Sequence, residues 1–344
     1  MSKPIPVAVV GTGHMGRHHV RIYHEMPEAD LVGVVDIDSD RAASMAKEYQ
    51  TQAYKSIDPL LDKIKAVSIA VPTTAHVEIA RPLLENGIAV LIEKPIAPDS
   101  ASARLLLELA NRHNSLVQVG HTERFNPVVR AMTRMQVVPR FIETHRISPF
   151  TFRSADISVV MDMMIHDIDI VLHMVQSKPV KVEGVGVSVL AQYEDIANAR
   201  VTFEDGCVAN LTASRLALKT ERKIRVFSEE AYLSLDYQKK SGIAIKKDAN
   251  IDLLKMAREQ HADNLSQLSG VSFGSMVKVE PLQIDDTEPL RAELQSFLQA
   301  LQTGEKPVVS AEDGVAAVEL AERIMAESRK HRWEGADAGK LVMS

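Results

Sequence analysis

Asp162, His166 and Asp169 are spaced i, i+4 and i+7 within Val160–Val175, a segment whose apolar pattern predicts a helix. On a helix that spacing places all three on one face. A histidine there titrates near working pH, so it suits a general base, and a carboxylate one turn away can orient its ring. Lys94 follows the short apolar run Ala89–Ile92, which predicts a strand. Open α/β sheets hold their ligands at the carboxyl ends of strands, and an ammonium at such a tip can stabilise a developing alkoxide.

A third constellation is Gly11-Thr12-Gly13-His14-Met15-Gly16, a G-x-G-x-x-G run between a predicted strand, Ile5–Val10, and a predicted helix. In that context the first glycine permits the tight turn, the second lets backbone approach a pyrophosphate, and the third lets helix pack on strand. The helix N-terminus then offers unpaired N–H groups to phosphate. Asp36 closes the second predicted strand, 20 residues after Gly16. It suits the hydroxyls of an adenosine ribose and repels a ribose phosphate, and Ile37-Asp38 adds no arginine. NAD is therefore expected over NADP.

These residues need a frame. Ile5–Val10, Ala29–Asp36, Ala66–Val71, Ala89–Ile92 and Leu116–Val119 are near-continuous apolar runs, as expected of strands covered on both faces. Between them lie helical patterns at His14–Glu25, Asp38–Tyr49, Ala75–Asn86 and Ser100–Asn114. The alternation predicts a doubly wound parallel sheet over residues 1–122. Residues 123–344 carry the helix Val160–Val175 and then strand-like stretches at Val180–Leu190, Ala197–Phe203, Cys207–Ser214, Lys223–Phe227 and Tyr232–Asp236. That order predicts an α+β domain on a mainly antiparallel sheet. Residues 238–280 are ambiguous, with a possible helix near Ile251–Leu265. Pro289–Gln302 and Ala311–Lys330 predict two closing helices.

Composition sets outer limits. A chain of 344 residues with 45% hydrophobic and 25% charged content has enough apolar material for two domains of ordinary size. Net charge of −6 and pI near 6.1 give no reason to expect nucleic acid, and the scattered pairs such as Arg222-Lys223 read as solvated surface. No stretch approaches the roughly 20 apolar residues of a membrane span. The single cysteine, Cys207, rules out an intrachain disulfide, so a cytoplasmic location is expected. No cluster has metal-ligand spacing, and no metal is expected.

Glu93-Lys94-Pro95 after the fifth strand, with the glycine motif before it and Asp162…His166…Asp169 after it, resembles the Gfo/Idh/MocA family of oxidoreductases. The stretch from Gly304 through Ser310-Ala311-Glu312-Asp313-Gly314 is similar as well. The resemblance implies a Rossmann domain, an active-site lysine at Lys94, and NAD as hydride carrier. It implies dinucleotide contacts from Glu93 and Lys94, from Val71-Pro72-Thr73 and His76 beside the cofactor groove, and from Arg124. It places Asn126 on a loop near the substrate, and it implies a homodimer or homotetramer with closing helices packed near the first domain.

Two further stretches, His121-Thr122-Glu123-Arg124-Phe125-Asn126-Pro127 and Glu143-Thr144-His145-Arg146 running on to Arg153-Ser154, resemble UDP-N-acetylglucosamine 3-dehydrogenases within that family. This resemblance implies a UDP-sugar substrate whose 3-hydroxyl is oxidised to a ketone for an aminotransferase, in the route to 3-amino lipid A. Lys94, Asp162 and His166 would meet the reacting hydroxyl, and Arg146 and Arg153 the diphosphate. A cyclitol or free-sugar dehydrogenase and a dinucleotide-binding sensor without turnover are the other readings.

Overall fold

A computed structural model of the chain describes residues 3–151, 156–247 and 277–330. Six strands form one parallel sheet: β1 Ile5–Val10, β2 Ala29–Val35, β3 Gln52–Tyr54, β4 Ala66–Ile69, β5 Ala89–Glu93 and β6 Val117–Gly120, in the order β3-β2-β1-β4-β5-β6. Helices α1 Gly16–Glu25, α2 Ser39–Glu48, α3 His76–Glu85 and α4 Ser100–His113 alternate with them. Strands β4 and β5 are buried throughout because helices cover both faces, which explains their unbroken apolar sequence. Helix ends follow local chemistry. Asp38 and Asp99 cap α2 and α4 by accepting from the N–H groups of Arg41 and Ser102, and Asn114 ends α4 in a left-handed conformation.

The second sheet has eight strands: β7 Phe141–Ile147, β8 Pro179–Val187, β9 Ile196–Phe203, β10 Val208–Ser214, β11 Glu221–Phe227, β12 Ala231–Asp236, β13 Ser241–Lys247 and β14 Val277–Pro281. Their order is β14-β13-β12-β11-β7-β10-β9-β8, antiparallel except between β7 and β10. β7 and β3 escape the sequence reading; the inward positions of β7 are Ile142, Thr144 and Arg146, too polar to read as a core face, and β3 has only three residues at a sheet edge. The strand expected to reach Leu190 stops at Val187, because the Asp195 carboxylate collects the N–H groups of Val189, Leu190 and Ala191 and turns the chain. The helix considered near Ile251–Leu265 lies outside the described residues.

Alternation gives the second sheet two unlike faces. Ile142, Thr144, Ile224, Val226, Leu233 and Leu235 are buried under helices, while Phe141, Phe227 and Tyr232 form a row of aromatic contacts on the other face, with centroids 5.6 and 4.7 Å apart. The covering helices are α6 Ile165–Val175, preceded by a π-helical turn at Val160–Met164, and α8 Ala311–Lys330. The short α5 Pro127–Thr133 starts where Asn126 accepts from the N–H of Val128. Helix α7 Pro289–Thr303 returns to the first sheet, where Leu290, Leu294, Phe297 and Leu298 pack with Val7, Val9, Val34 and Leu91. A second cluster is continuous across both sheets, running from Ile92 and Ile96 through Phe125 and Val128 to Ile168 and Ile224.

Candidate active site

The nucleotide end is built by the turn after β1. Gly11 has φ +88°, and a Cβ there would stand 2.5 Å from the Ala70 carbonyl oxygen; a Cβ on Gly16 would stand 1.7 Å from the Gly11 oxygen. Only glycine fits either position. A Cβ on Gly13 would meet nothing nearer than the Arg41 guanidinium at 3.9 Å, so the turn is open there to an approaching phosphate. His14 is exposed, with Arg17 3.3 Å from its Nδ1, and Met15 begins the helical backbone.

Asp36 is oriented by this turn. The Thr12 N–H and hydroxyl donate to one carboxylate oxygen at 2.8 and 2.7 Å, and the Asp38 N–H donates to the other at 2.9 Å. Burial pushes the Asp36 carboxyl up, but these bonds and Arg41 outweigh it and hold the group below the usual carboxylate range. The second oxygen keeps capacity for a ribose hydroxyl. One expectation needs correction: Ile37-Asp38 supplies no arginine, but Arg41, one helical turn later, lies 3.7 Å from Asp36.

The reacting end lies at the carboxyl tips of β5 and β6. Lys94 Nζ donates to the backbone carbonyl of Asp162 at 2.6 Å and stands 3.5 Å from its carboxylate. Asp162 belongs to the π-helical turn, so the expected regular i, i+4 helix between it and His166 is locally widened. His166 opens α6. Its Nδ1 is buried with no partner among the described residues. Burial, then the charges of Lys94 and Arg146, drive its pKa well below the ordinary value, so the ring is neutral. Burial also lowers Lys94, against the opposing pull of Asp162.

Several expected ligand contacts have other work. Arg146, expected for a diphosphate, is buried: Nε and Nη2 donate to the Asp167 carboxylate at 3.0 and 2.9 Å, and Nη1 to Glu123 at 2.9 Å. Its fork is occupied, so it serves as an internal ion-pair anchor between β7 and α6. Arg124, expected at the dinucleotide, is likewise buried and forked on Asp169 at 2.6 and 2.8 Å. Asn126, expected at the substrate, caps α5 and donates to Glu123 at 3.1 Å. Arg153 lies outside the described residues.

His76 is neither at an open groove nor on a surface. Its ring is buried, with nitrogens 3.1 Å from the Val71 carbonyl oxygen and 3.0 and 3.2 Å from those of Pro95 and Ile96. It ties the Val71-Pro72-Thr73 turn to the loop carrying Lys94. Glu93 accepts from His19 at 2.9 Å.

Residues 5–121 match the oxidoreductase family with an NAD-binding Rossmann fold, and residues 134–234 match the GFO/IDH/MocA C-terminal domain. The UDP-N-acetylglucosamine 3-dehydrogenase of Acidithiobacillus ferrooxidans is 33% identical over 90% of this chain and 91% of that protein. The chain belongs to the Gfo/Idh/MocA family. A solved structure of that Acidithiobacillus ferrooxidans enzyme superposes with a TM-score of 0.86 at 30% identity, covering 96% of this chain and 99% of the other. An inositol 2-dehydrogenase of Corynebacterium glutamicum is 31% identical over 53% of this chain and 58% of that protein.

As a Gfo/Idh/MocA oxidoreductase the chain uses NAD, and the open Gly13 turn and the pre-oriented Asp36 fit that cofactor. One buried residue at this family site escapes the sequence reading. Glu293 on α7 looks like a solvated helix position but is fully buried; it accepts from the Thr122 hydroxyl at 2.8 Å, and burial with the nearby Glu93 raises its carboxyl well above the usual range. Arg222 pairs with Arg146 across β11 and β7 and shares the helix-bearing face with Ile224 and Val226. It is exposed, in keeping with the solvated-surface reading of Arg222-Lys223, and stands 3.7 Å from Glu123.

Proposed function

We propose that the chain oxidises a sugar-nucleotide hydroxyl with NAD, specifically the 3-hydroxyl of UDP-N-acetylglucosamine, giving a 3-keto sugar for an aminotransferase in the route to 3-amino lipid A. The observation that carries the reading is the convergence of the Lys94 amine on Asp162, one helical turn from the neutral His166. Bound NAD supplies the hydride acceptor. The protein's part is proton handling and placement. The neutral His166 takes the hydroxyl proton, Lys94 steadies the oxyanion that forms, and Asp162 holds Lys94 in register.

Arg222 takes the diphosphate role that Arg146 cannot perform. Among the described residues its guanidinium pairs with Glu123 alone, at 3.7 Å, so it has donors to spare. A second copy of the chain would cover the aromatic row Phe141, Phe227 and Tyr232, giving a homo-oligomer.

The occupied fork of Arg146 also favours a second reading, a cyclitol dehydrogenase with no anionic group to bind, in keeping with the inositol 2-dehydrogenase relative. Incubating the protein with NAD and either UDP-N-acetylglucosamine, myo-inositol or glucose separates the readings by NADH absorbance and keto-product analysis. The sugar-nucleotide reading requires NADH and a keto product from UDP-N-acetylglucosamine when an aminotransferase draws off product. Turnover of myo-inositol alone supports the second reading, and silence with every sugar leaves a binding protein.

A further inference from the structure

His121 follows β6 directly, as Lys94 follows β5, and these strands pair in parallel with Glu93 opposite Gly120. The two residues are therefore neighbours at the tip of the sheet. The His121 ring is 1% exposed, and neither Nδ1 nor Nε2 has a hydrogen-bond partner among the described residues. Its backbone is fully used, with the N–H donating to the Val119 carbonyl and the carbonyl accepting from the Arg124 N–H, so only the ring is left without partners. Buried imidazoles ordinarily satisfy at least one nitrogen within the protein, and a wholly unsatisfied one calls for an explanation.

The charges around it say what kind of partner is missing. Lys94, Asp169, Arg124 and Asp313 all act on the ring, and burial dominates them in favouring the neutral form. The cations and carboxylates are already matched, Lys94 with Asp162 and Arg124 with Asp169. A neutral imidazole offers one N–H and one lone pair, so its complement is an uncharged group that both donates and accepts.

We propose that His121 is a further ligand-binding residue of the catalytic centre, hydrogen-bonding an uncharged donor–acceptor group, a carboxamide or a hydroxyl, of a ligand seated beside Lys94. The proposal rests on the dehydrogenase reading of that centre. Two sources carry this chemistry: the carboxamide of the dinucleotide, and a hydroxyl or acetamido group of the sugar. A structural histidine in the same place would lose stability on replacement. A ligand-binding one held without partners would not, because an apolar ring of similar shape removes an unsatisfied polar group.

The test uses the full chain with His121→Phe and His121→Gln. Melting temperature is read without ligand, NAD affinity by calorimetry, and KM and kcat with UDP-N-acetylglucosamine. His121→Phe should melt no lower than the parent and should weaken one ligand about tenfold, with His121→Gln recovering part of the loss. Weakened NAD alone assigns the contact to the carboxamide; a raised KM alone assigns it to the sugar. A lower melting temperature with both ligands bound normally overturns the proposal, as does no change in either affinity. If the parent oxidises no sugar nucleotide, the substrate reading fails, and the NAD titration alone decides His121: normal affinity in His121→Phe then overturns the proposal.

Discussion

Lys94 meets Asp162 twice, through the backbone carbonyl at 2.6 Å and the carboxylate at 3.5 Å. The tighter contact goes to main chain in the π-helical turn, so the amine is held by the shape of the helix entrance as well as by charge. A lysine fixed in this way is preorganised for an oxyanion and costs little reorganisation when one forms.

Lys94→Ala should lower kcat by roughly 10²- to 10⁴-fold, the usual range for losing a positioned acid–base or oxyanion group. NAD affinity should stay near the parent value because the glycine turn and Asp36 are untouched. Steady-state kinetics with a calorimetric NAD titration checks both; unchanged turnover would remove Lys94 from the chemistry.

The pH profile has a defined sign. His76, His121 and His166 have folded pKa values pushed below 6.5, in each case mainly by burial. Above about pH 6.5 the rings are neutral in both states and their contribution to stability is complete. As pH falls below that point the unfolded chain takes up protons that the native rings refuse, so stability is lost progressively toward the folded values. The acid limb of kcat/KM should accordingly lie below pH 6.5, and the alkaline limb, from lowered Lys94, below 10.5. Denaturant titrations at several pH values should show a shallower acid slope for His166→Gln; an identical slope would contradict the buried neutral ring.

Asp36→Ala should weaken NAD by about ten- to a hundredfold, the loss expected for charged hydrogen bonds to ribose. NADP should suffer less, because Arg41 loses its 3.7 Å carboxylate neighbour and becomes available to a phosphate. Parallel titrations with both dinucleotides decide it; equal losses would argue against ribose readout.

Arg146→Ala should cost about 3–5 kcal/mol of stability, since it leaves Asp167 and Glu123 buried beside a missing cation. Arg222→Gln should leave stability within about 0.5 kcal/mol, as usual for exposed positions, while raising KM for a UDP-sugar. Urea melts and kinetics on the two variants separate anchor from ligand contact; matching effects would dissolve that distinction.

The local signals were legible where local chemistry decides structure. The glycine turn, Asp36, β1 and α8 follow from spacing and caps, with β1 and α8 matching the expected bounds. What stayed hidden is tertiary. Arg146 reads as a cation for a substrate diphosphate until Asp167 from α6 and Glu123 occupy it. Glu293 is buried only because α7 docks on the first sheet, and Arg222 shares a face with Ile224 and Val226 only through the register of β11 against β7. The π-helical turn changes the Asp162–His166 relation through one displaced hydrogen-bond step, which leaves no trace in residue types.

The docking of α7 also bears on the order of events during synthesis. Val7, Val9 and Leu91 are made before Leu294 and Phe297, which roof them and follow Leu91 by about 200 residues. Until that later segment is made, the nascent nucleotide-binding half carries an uncovered oily flank. That interval is when chaperone capture, or sticking to a neighbouring nascent chain, has its opportunity.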